Sequence, residues 1–289
     1  MEHYLGQILV QAFSLGSLYG LLAIGFALIF GSTRVINLAH GSFVILTGYI
    51  AYILERNFGT GFIFATLLSA LVPLVFLPII IFISSNTPHP KETLSLILTF
   101  ALSLVLQSLY FAIFSADYRM LTTKPGILEI PVAGLHISPV QIALIAISLS
   151  TITLLFLLFR KTMTGKAIRA TIQNSQAALI VGIPTKKMQI LATGLGCLAS
   201  GLAGALYVRV SYIHPAGDLE VTLIALLITF FAGRGRIRRI LVSACLFAVL
   251  ETLVSFWWGA KWRELLSSLF IISVLMWRGE ELFNNSPAK

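Results

Sequence analysis

Charge is what this sequence has least of. Only 11% of its 289 residues are Asp, Glu, Lys or Arg, while 57% are hydrophobic. An ordinary soluble domain holds about a quarter charged residues. A chain this poor in charge cannot cover itself with a polar surface, so lipid must be the solvent for much of it. Acids are scarcer still, 11 against 20 bases, for a net charge of +9. That balance would suit a nucleic acid, but the bases sit in short loops between apolar runs. This is the positive-inside pattern of a membrane protein, and it excludes nucleic acid as a partner. Cysteine is nearly missing. Cys197 and Cys245 both fall within apolar runs and read as packing residues, not as a disulfide or a metal site. The opening Met1-Glu2-His3-Tyr4 has no basic stretch and precedes a run too long for a signal h-region, so it is not read as a cleaved signal. Several motifs are absent as well. Without Gly-x-x-x-x-Gly-Lys-Ser/Thr the chain cannot bind ATP by a P-loop. It has no His-Glu-x-x-His, no Gly-x-Ser-x-Gly and no membrane-embedded arginine series, and no pair of acids falls within its apolar runs.

What is there is long apolar runs. Hydrocarbon about 30 Å thick takes about 20 residues of helix. Runs of that length occupy 6–30, 62–83, 94–114, 139–159, 188–208 and 240–258. Shorter ones occupy 37–54, 219–232 and 265–277. The expectation is an all-α, polytopic bundle of about eight or nine spans in one domain, 1–289, with short or broken helices. Two loops set its orientation. The loop 160–187 carries Arg160, Lys161, Lys166, Arg169, Lys186 and Lys187 with no acid. The loop 234–239 carries Arg234, Arg236, Arg238 and Arg239, also with no acid. Both are expected in the cytosol, which puts the N-terminus outside and the C-terminus inside. Loops 55–61, 115–138, 209–218 and 259–263 then lie outside. The longest holds Pro125, Gly126, Pro131 and Gly134 with a β-prone piece at 127–130, enough for a small cap over the external mouth.

The segment Arg34-Val35-Ile36-Asn37-Leu38-Ala39-His40-Gly41-Ser42 places polar and small residues between two apolar runs. Continued as a helix, Asn37, His40, Gly41, Val44 and Gly48 share one face. Polar groups at membrane depth usually face protein or a water-filled path. Irregular backbone there, eased by Gly31 and Gly41, would offer N–H and C=O groups to a polar solute. A cytosolic turn capped by Asn37, with His40 at the interface, fits the same residues. Glu251, between Leu250 and Thr252 in an apolar run, needs a partner or a cavity; a path role and a structural hydrogen bond are both open. Gly16 and Gly20 form a Gly-x-x-x-Gly. Gly194, Gly196, Cys197, Ser200, Gly201 and Gly204 make a small face on a later run. Close helix packing accounts for both.

The loop 160–187 reads as two short amphipathic helices, with Thr164 and Ser175 as N-caps and Gly182 before Pro184 as a stop. An ordered basic helix pair suits docking into a partner's groove. A helix lying on anionic lipid would look the same.

These residues resemble a known family. The stretch 16–31 followed by Val35-Ile36-Asn37-Leu38-Ala39-His40-Gly41 is similar to the opening of permease subunits of branched-chain amino acid ABC importers. The likeness is to the H-type (LivH-like) subunits of this binding-protein-dependent inner-membrane family. Gly165-Lys166-Ala167-Ile168-Arg169-Ala170, with Ala177, Gly182 and Ile183, resembles the family's ATPase-contacting segment. The likeness runs from the first span to about Trp277. It departs at 232–240, where four arginines replace an uncharged glycine-rich turn, and in the ending 277–283.

The resemblance implies a transport subunit of a bacterial or archaeal cytoplasmic membrane, not an enzyme. It would form half of the path for branched-chain or other small neutral amino acids. A second permease subunit, two ATP-binding subunits and an extracytoplasmic solute-binding protein would complete the importer. ATP and Mg would sit on the partners, with no cofactor on this chain. Relatives for urea or short amides offer another solute, and a stand-alone secondary carrier another mechanism. The path residues would be Asn37, His40, Gly41, Ser42, Gly48 and Glu251. The coupling residues would be Gly165, Arg169, Ala170, Gln173, Asn174, Ala177, Gly182 and Ile183. Leucine at Gly41 is expected to block transport in a folded protein.

Overall fold

The computed structural model describes residues 2–86, 91–121, 130–132, 135–233, 237–259, 262, 265, 268–270, 272–273 and 276. Arg234, Gly235, Arg236, positions 266–267, 271 and 274–275, the ending 277–283 and the loop glycines Gly126 and Gly134 lie outside the described residues.

The chain is a helical bundle. Seven of its described helices are long and apolar enough to cross a membrane. The central one is α1 (Glu2–Thr33), which packs against α6 (Pro139–Lys161), α9 (Thr185–Tyr207), α10 (Asp218–Ala232) and α11 (Ile237–Trp258). Lipid supplies no hydrophobic drive between helices, so small residues that allow close approach hold them together. A side chain on Gly25 or Gly196 would run into the facing helix, since ideal Cβ positions there lie 2.5 Å from Ser200 Oγ and 2.7 Å from Ile29 Cγ1. The Gly16–Gly20 step packs on α11 at Cys245 and Ala244. The cysteines are free and serve packing, as expected.

Two helices are shorter than a bilayer, although α10 counts among the seven when the 3-10 turn Pro215–Gly217 before it is included. The 17-residue α2 (His40–Arg56) and the 15-residue α10 reach about 26 and 22 Å at 1.5 Å per residue. The stretch 62–86 is bent in the middle: α3 (Phe62–Ser69) passes through a 3-10 turn at Val72–Phe76 into α4 (Leu77–Asn86), with Pro73 at the turn. The expected count of eight or nine spans included α2 and 265–277. The first is too short for the seven, and of the second only 265, 268–270, 272–273 and 276 are described.

The ends of the bundle differ. At one end α1 closes on Arg34, in the left-handed region at φ 58, whose Nη2 donates to the Ile172 carbonyl at 2.6 Å. That carbonyl belongs to α7 (Met163–Gln173), followed by α8 (Ser175–Ile180). The other end carries a short hairpin of β1 (Ile130–Val132) and β2 (Leu135–Ile137), paired antiparallel. Its strands sit just after the expected 127–130 piece.

Candidate functional site

Helix α5 (Lys91–Phe114) is a ruler for depth, because it runs from one end of the bundle to the other as a single 24-residue helix. Its buried polar residues Ser95, Thr99 and Ser103 recur every four positions and form one stripe. Thr99 meets the backbone of Ile36 and Leu38. Ser103, near the midpoint, meets Ser42. The Phe114 ring, at the end, stacks on Tyr49 at 4.0 Å. Residues 34–39 therefore climb into the bundle without helical structure, and α2 begins in its interior. His40, the first residue of α2, packs its ring edge-on against Phe26 at 5.3 Å, about 10 Å above the last residue of α1.

The second short helix mirrors this. After α9, residues 208–214 turn back from the hairpin end. They are held there by Arg119 and Ile213 exchanging backbone hydrogen bonds at 2.9 and 2.8 Å. A 3-10 turn at Pro215–Gly217 leads into α10, which then runs toward the α7 end, where Phe230 meets Phe30. Half-helices from opposite ends thus start side by side at mid-depth. The loop 209–218, expected outside, instead folds back into the bundle.

Asp218, the first residue of α10, is 2% exposed. Its Oδ2 accepts from Ser42 Oγ and Ser103 Oγ, each at 2.6 Å. Its Oδ1 accepts from the Leu219 N–H at 2.9 Å and from Gln107 Nε2 at 3.4 Å. Three helices thus supply uncharged donors to one carboxylate. Starting turns of helices carry partial positive charge and favour an anion. Gly41 makes the approach possible: its N–H donates to Thr222 Oγ1 at 2.8 Å, and a Cβ there would lie 1.8 Å from the Asp218 carbonyl oxygen. Tyr110 donates to the Ser42 carbonyl at 2.9 Å.

The six expected path residues do not form one site. Asn37, Gly41 and Ser42 cluster at the start of α2, near Asp218. Asn37 accepts from the Ala39 N–H at 3.1 Å, and its buried Nδ2 has no partner. Asn37 thus caps a turn that lies inside the protein. His40 is fully buried, and neither ring nitrogen makes a hydrogen bond of normal geometry, although the Leu22 carbonyl lies close enough to act on the ring. Gly48 is a packing position, with Gly204 O and Ile213 at 3.3 Å from an ideal Cβ. Glu251 is far along the chain and on another interface. It is 1% exposed and accepts from the Tyr19 hydroxyl at 3.1 Å. Sequence reasoning missed Asp218. The available signal was an acid directly after His214-Pro215-Ala216-Gly217, with Glu220 two residues on, at the head of an apolar run.

The α7–α8 end has its own surface. The N-caps are Thr162 and Asn174, not Thr164 and Ser175. Thr162 Oγ1 accepts from the Gly165 N–H and Asn174 Oδ1 from the Ala177 N–H, both at 3.0 Å. A cap needs extended backbone before the helix, and these two residues have it. Gly165 lets α7 fold tightly onto α6, since a Cβ there would lie 2.1 Å from the Leu158 carbonyl. Gly182 ends α8 at φ +83, with the Ile183 N–H reaching the Ala178 carbonyl at 3.0 Å. Arg169, Gln173, Asn174, Ala177 and Gly182 are exposed, whereas Ala170 and Ile183 are half-buried. Leu179, Ile180 and Val181 project at 63, 86 and 74% exposure.

A family model described as "Branched-chain amino acid transport system / permease component" matches residues 8–275. Among curated relatives, the high-affinity branched-chain amino acid transport system permease protein BraD of Pseudomonas aeruginosa is 25% identical over 300 residues, covering 96% of this chain and 94% of its own. The corresponding LivH of Escherichia coli K12 is 22% identical over 303 residues, covering 94% and 93%. A probable LivH of Methanocaldococcus jannaschii is 26% identical over 278 residues, covering 86% and 81%. Among solved structures, PsaBC from Streptococcus pneumoniae in complex with Fab matches with a TM-score of 0.51 at 14% identity, over 98% of this chain and 96% of that one. That likeness concerns the fold alone. Matched along nearly its whole length, and built of helices that cross a membrane several times, the chain belongs to the permease-component family of branched-chain amino acid transport systems and is a multi-pass protein of the cytoplasmic membrane.

Proposed function

We propose that this chain is the permease subunit of an ATP-driven importer and forms half of the path for branched-chain or other small neutral amino acids. The observation that carries this reading is the meeting of two half-helices around Asp218 at mid-depth. Discontinuous helices that begin inside the membrane are a recurrent way to hold a polar solute there. Asp218 is held by hydroxyl and amide donors. An α-ammonium group would exchange with Ser42 and Ser103 as α5 moves aside. Urea and short amides carry no such cation, which favours an amino acid as solute. Around Asp218, α2, α5 and α10 are in direct contact, so the proposed path is closed there. Opening it requires movement of α5 against α2 and α10, and that movement is the work assigned to the partners.

Those partners are two ATP-binding subunits, a second permease subunit and an extracytoplasmic solute-binding protein. ATP and Mg belong to the ATP-binding subunits, and this chain contributes no cofactor. The α7–α8 pair supports the docking role, because a capped helix ending in an apolar tip suits a partner's groove. Positive-inside charge puts that end in the cytosol and the hairpin end outside, facing the binding protein.

The test is reconstitution. The permease with its co-purified ATPases and binding protein, in proteoliposomes, should take up leucine, isoleucine or valine only with ATP. Asp218→Asn should reduce that uptake at least tenfold. Uptake driven by an ion gradient without ATP would make the chain a secondary carrier. Uptake of urea or amides with no amino acid would shift the solute class.

A further inference from the structure

The hairpin end holds a cavity of about 270 Å³, between the first part of α1, the start of α6 and the residues that follow α9. Gln11, Ser14, Met120, Gln141, Arg209 and Ser211 line it. A water molecule in the liquid occupies about 30 Å³, so there is room for the head of a small solute. Three features of the lining suit an anion. Arg209 presents a guanidinium whose side chain is 2% exposed. It pairs with Glu55 and donates to the Ala205 carbonyl. A guanidinium has five N–H donors, so more remain. Burial lowers its pKa and Glu55 opposes that, and the Glu55 carboxylate is not part of the cavity wall. Ser14 is 2% exposed, and its hydroxyl has no partner. Ser138 to Gln141 form the capped N-terminus of the 23-residue α6, which adds partial positive charge.

We propose that this cavity receives the carboxylate group of a small amino acid on its way into the permease. The proposal rests on the import reading above and deepens it. Ser211 lies seven residues before Asp218, so one segment joins the cavity to the mid-depth site. A solute would be held first by its acid and then by its amine. A lipid headgroup is the rival anion. Its acyl chains would need an apolar groove beside the cavity. The apolar groove at this end is lined by Leu9, Val10, Phe13, Ile137 and Ile142. Leu9 and Phe13 fall on nearly the opposite side of α1 from Gln11 and Ser14 at 100° per residue, while Val10, Ile137 and Ile142 flank residues of the cavity wall, so the labelling experiment decides between the two anions.

The experiment uses Ser14→Cys in the full chain, in native membranes with its partners. Cys197 and Cys245 of the parent chain give the background. Labelling is compared for two thiosulfonate reagents of similar size, one bearing a sulfonate and one a trimethylammonium group, each scaled to its rate with a free thiol. The sulfonate reagent should react roughly tenfold faster. Leucine, isoleucine or valine should slow it, while the matching amides should not. Equal scaled rates, protection by amide and acid alike, or protection by added phosphatidylglycerol in place of amino acids would each overturn the proposal. Arg209→Lys should keep the charge preference, and its loss in a folded Arg209→Lys protein would also count against it. Uptake is measured separately. Protection by an amino acid that is not imported would break the import reading and leave the site standing.

Discussion

Among the described residues two carboxylates are buried between the apolar helices, and their surroundings differ. Asp218 draws donors from α2, α5 and its own helix, and it sits where two helices begin. Glu251 lies within the continuous α11 and meets the Tyr19 hydroxyl of α1. Both are almost fully covered, at 2% and 1% exposure, so burial does not separate them. Backbone does. Around Asp218 the helices are interrupted, which makes room for polar groups to be exchanged. Around Glu251 they are continuous and close-packed. The contrast supports the proposed path role for Asp218 and sets against it a structural role for Glu251, and the substitutions below test that division.

The harshest test of the contrast is Gly41→Leu. Even the first carbon of a side chain would overlap the Asp218 backbone, so the two half-helices would have to separate. The expected cost is on the order of 3 kcal/mol or more, seen as a large drop in thermal midpoint in detergent. This revises the expectation from sequence that such a chain would fold and merely be blocked. A normal midpoint for Gly41→Leu would mean that α2 and α10 are not in contact.

Asp218→Leu should come next. It leaves two hydroxyls, the Leu219 N–H and the Gln107 amide without this acceptor, at about 1 to 3 kcal/mol for a group left unsatisfied, and uptake should vanish. Glu251→Leu should be milder, at about 1 kcal/mol for the Tyr19 hydrogen bond, with uptake within about twofold of the parent once protein amounts are matched. The comparison breaks if these two results are exchanged.

Much of the architecture was legible from the sequence for physical reasons. Runs of about 20 apolar residues have one economical fate in lipid. The two helices between Thr162 and Gly182 follow from amphipathic spacing and a glycine stop, although the caps fall one or two residues earlier than expected. Asn37, Gly41 and Ser42 stood out because polar and small residues are unusual between apolar runs. Asp218 did not stand out. It lies at the end of a run, where an acid ordinarily marks the aqueous boundary, and only the return of 208–217 into the bundle carries it to mid-depth. The Arg209–Glu55 pair was hidden too, because 154 positions separate the partners. Local periodicity does not report which ends of which helices meet.

The smallest effect on the fold is expected at the α8 tip. Ala170, one of the expected coupling residues, is half-buried, so a glutamate there would disturb α7 itself. Ile180 is 86% exposed and closes α8 between the equally bare Leu179 and Val181. A change to Asp there removes no internal contact, so stability should stay within about 0.5 kcal/mol of the parent. In a partner's apolar groove the same change buries a charge without a counter-ion, which is costly. Ile180→Asp should therefore leave the thermal midpoint and the Ser14→Cys labelling pattern unchanged while ATPase subunits fail to co-purify. That result would separate a motor-docking end from a solute-handling interior in one chain. If Ile180→Asp retains its ATPases and transports at the parental rate, the exposed tip rests on lipid instead, and the drive must reach Asp218 through another surface.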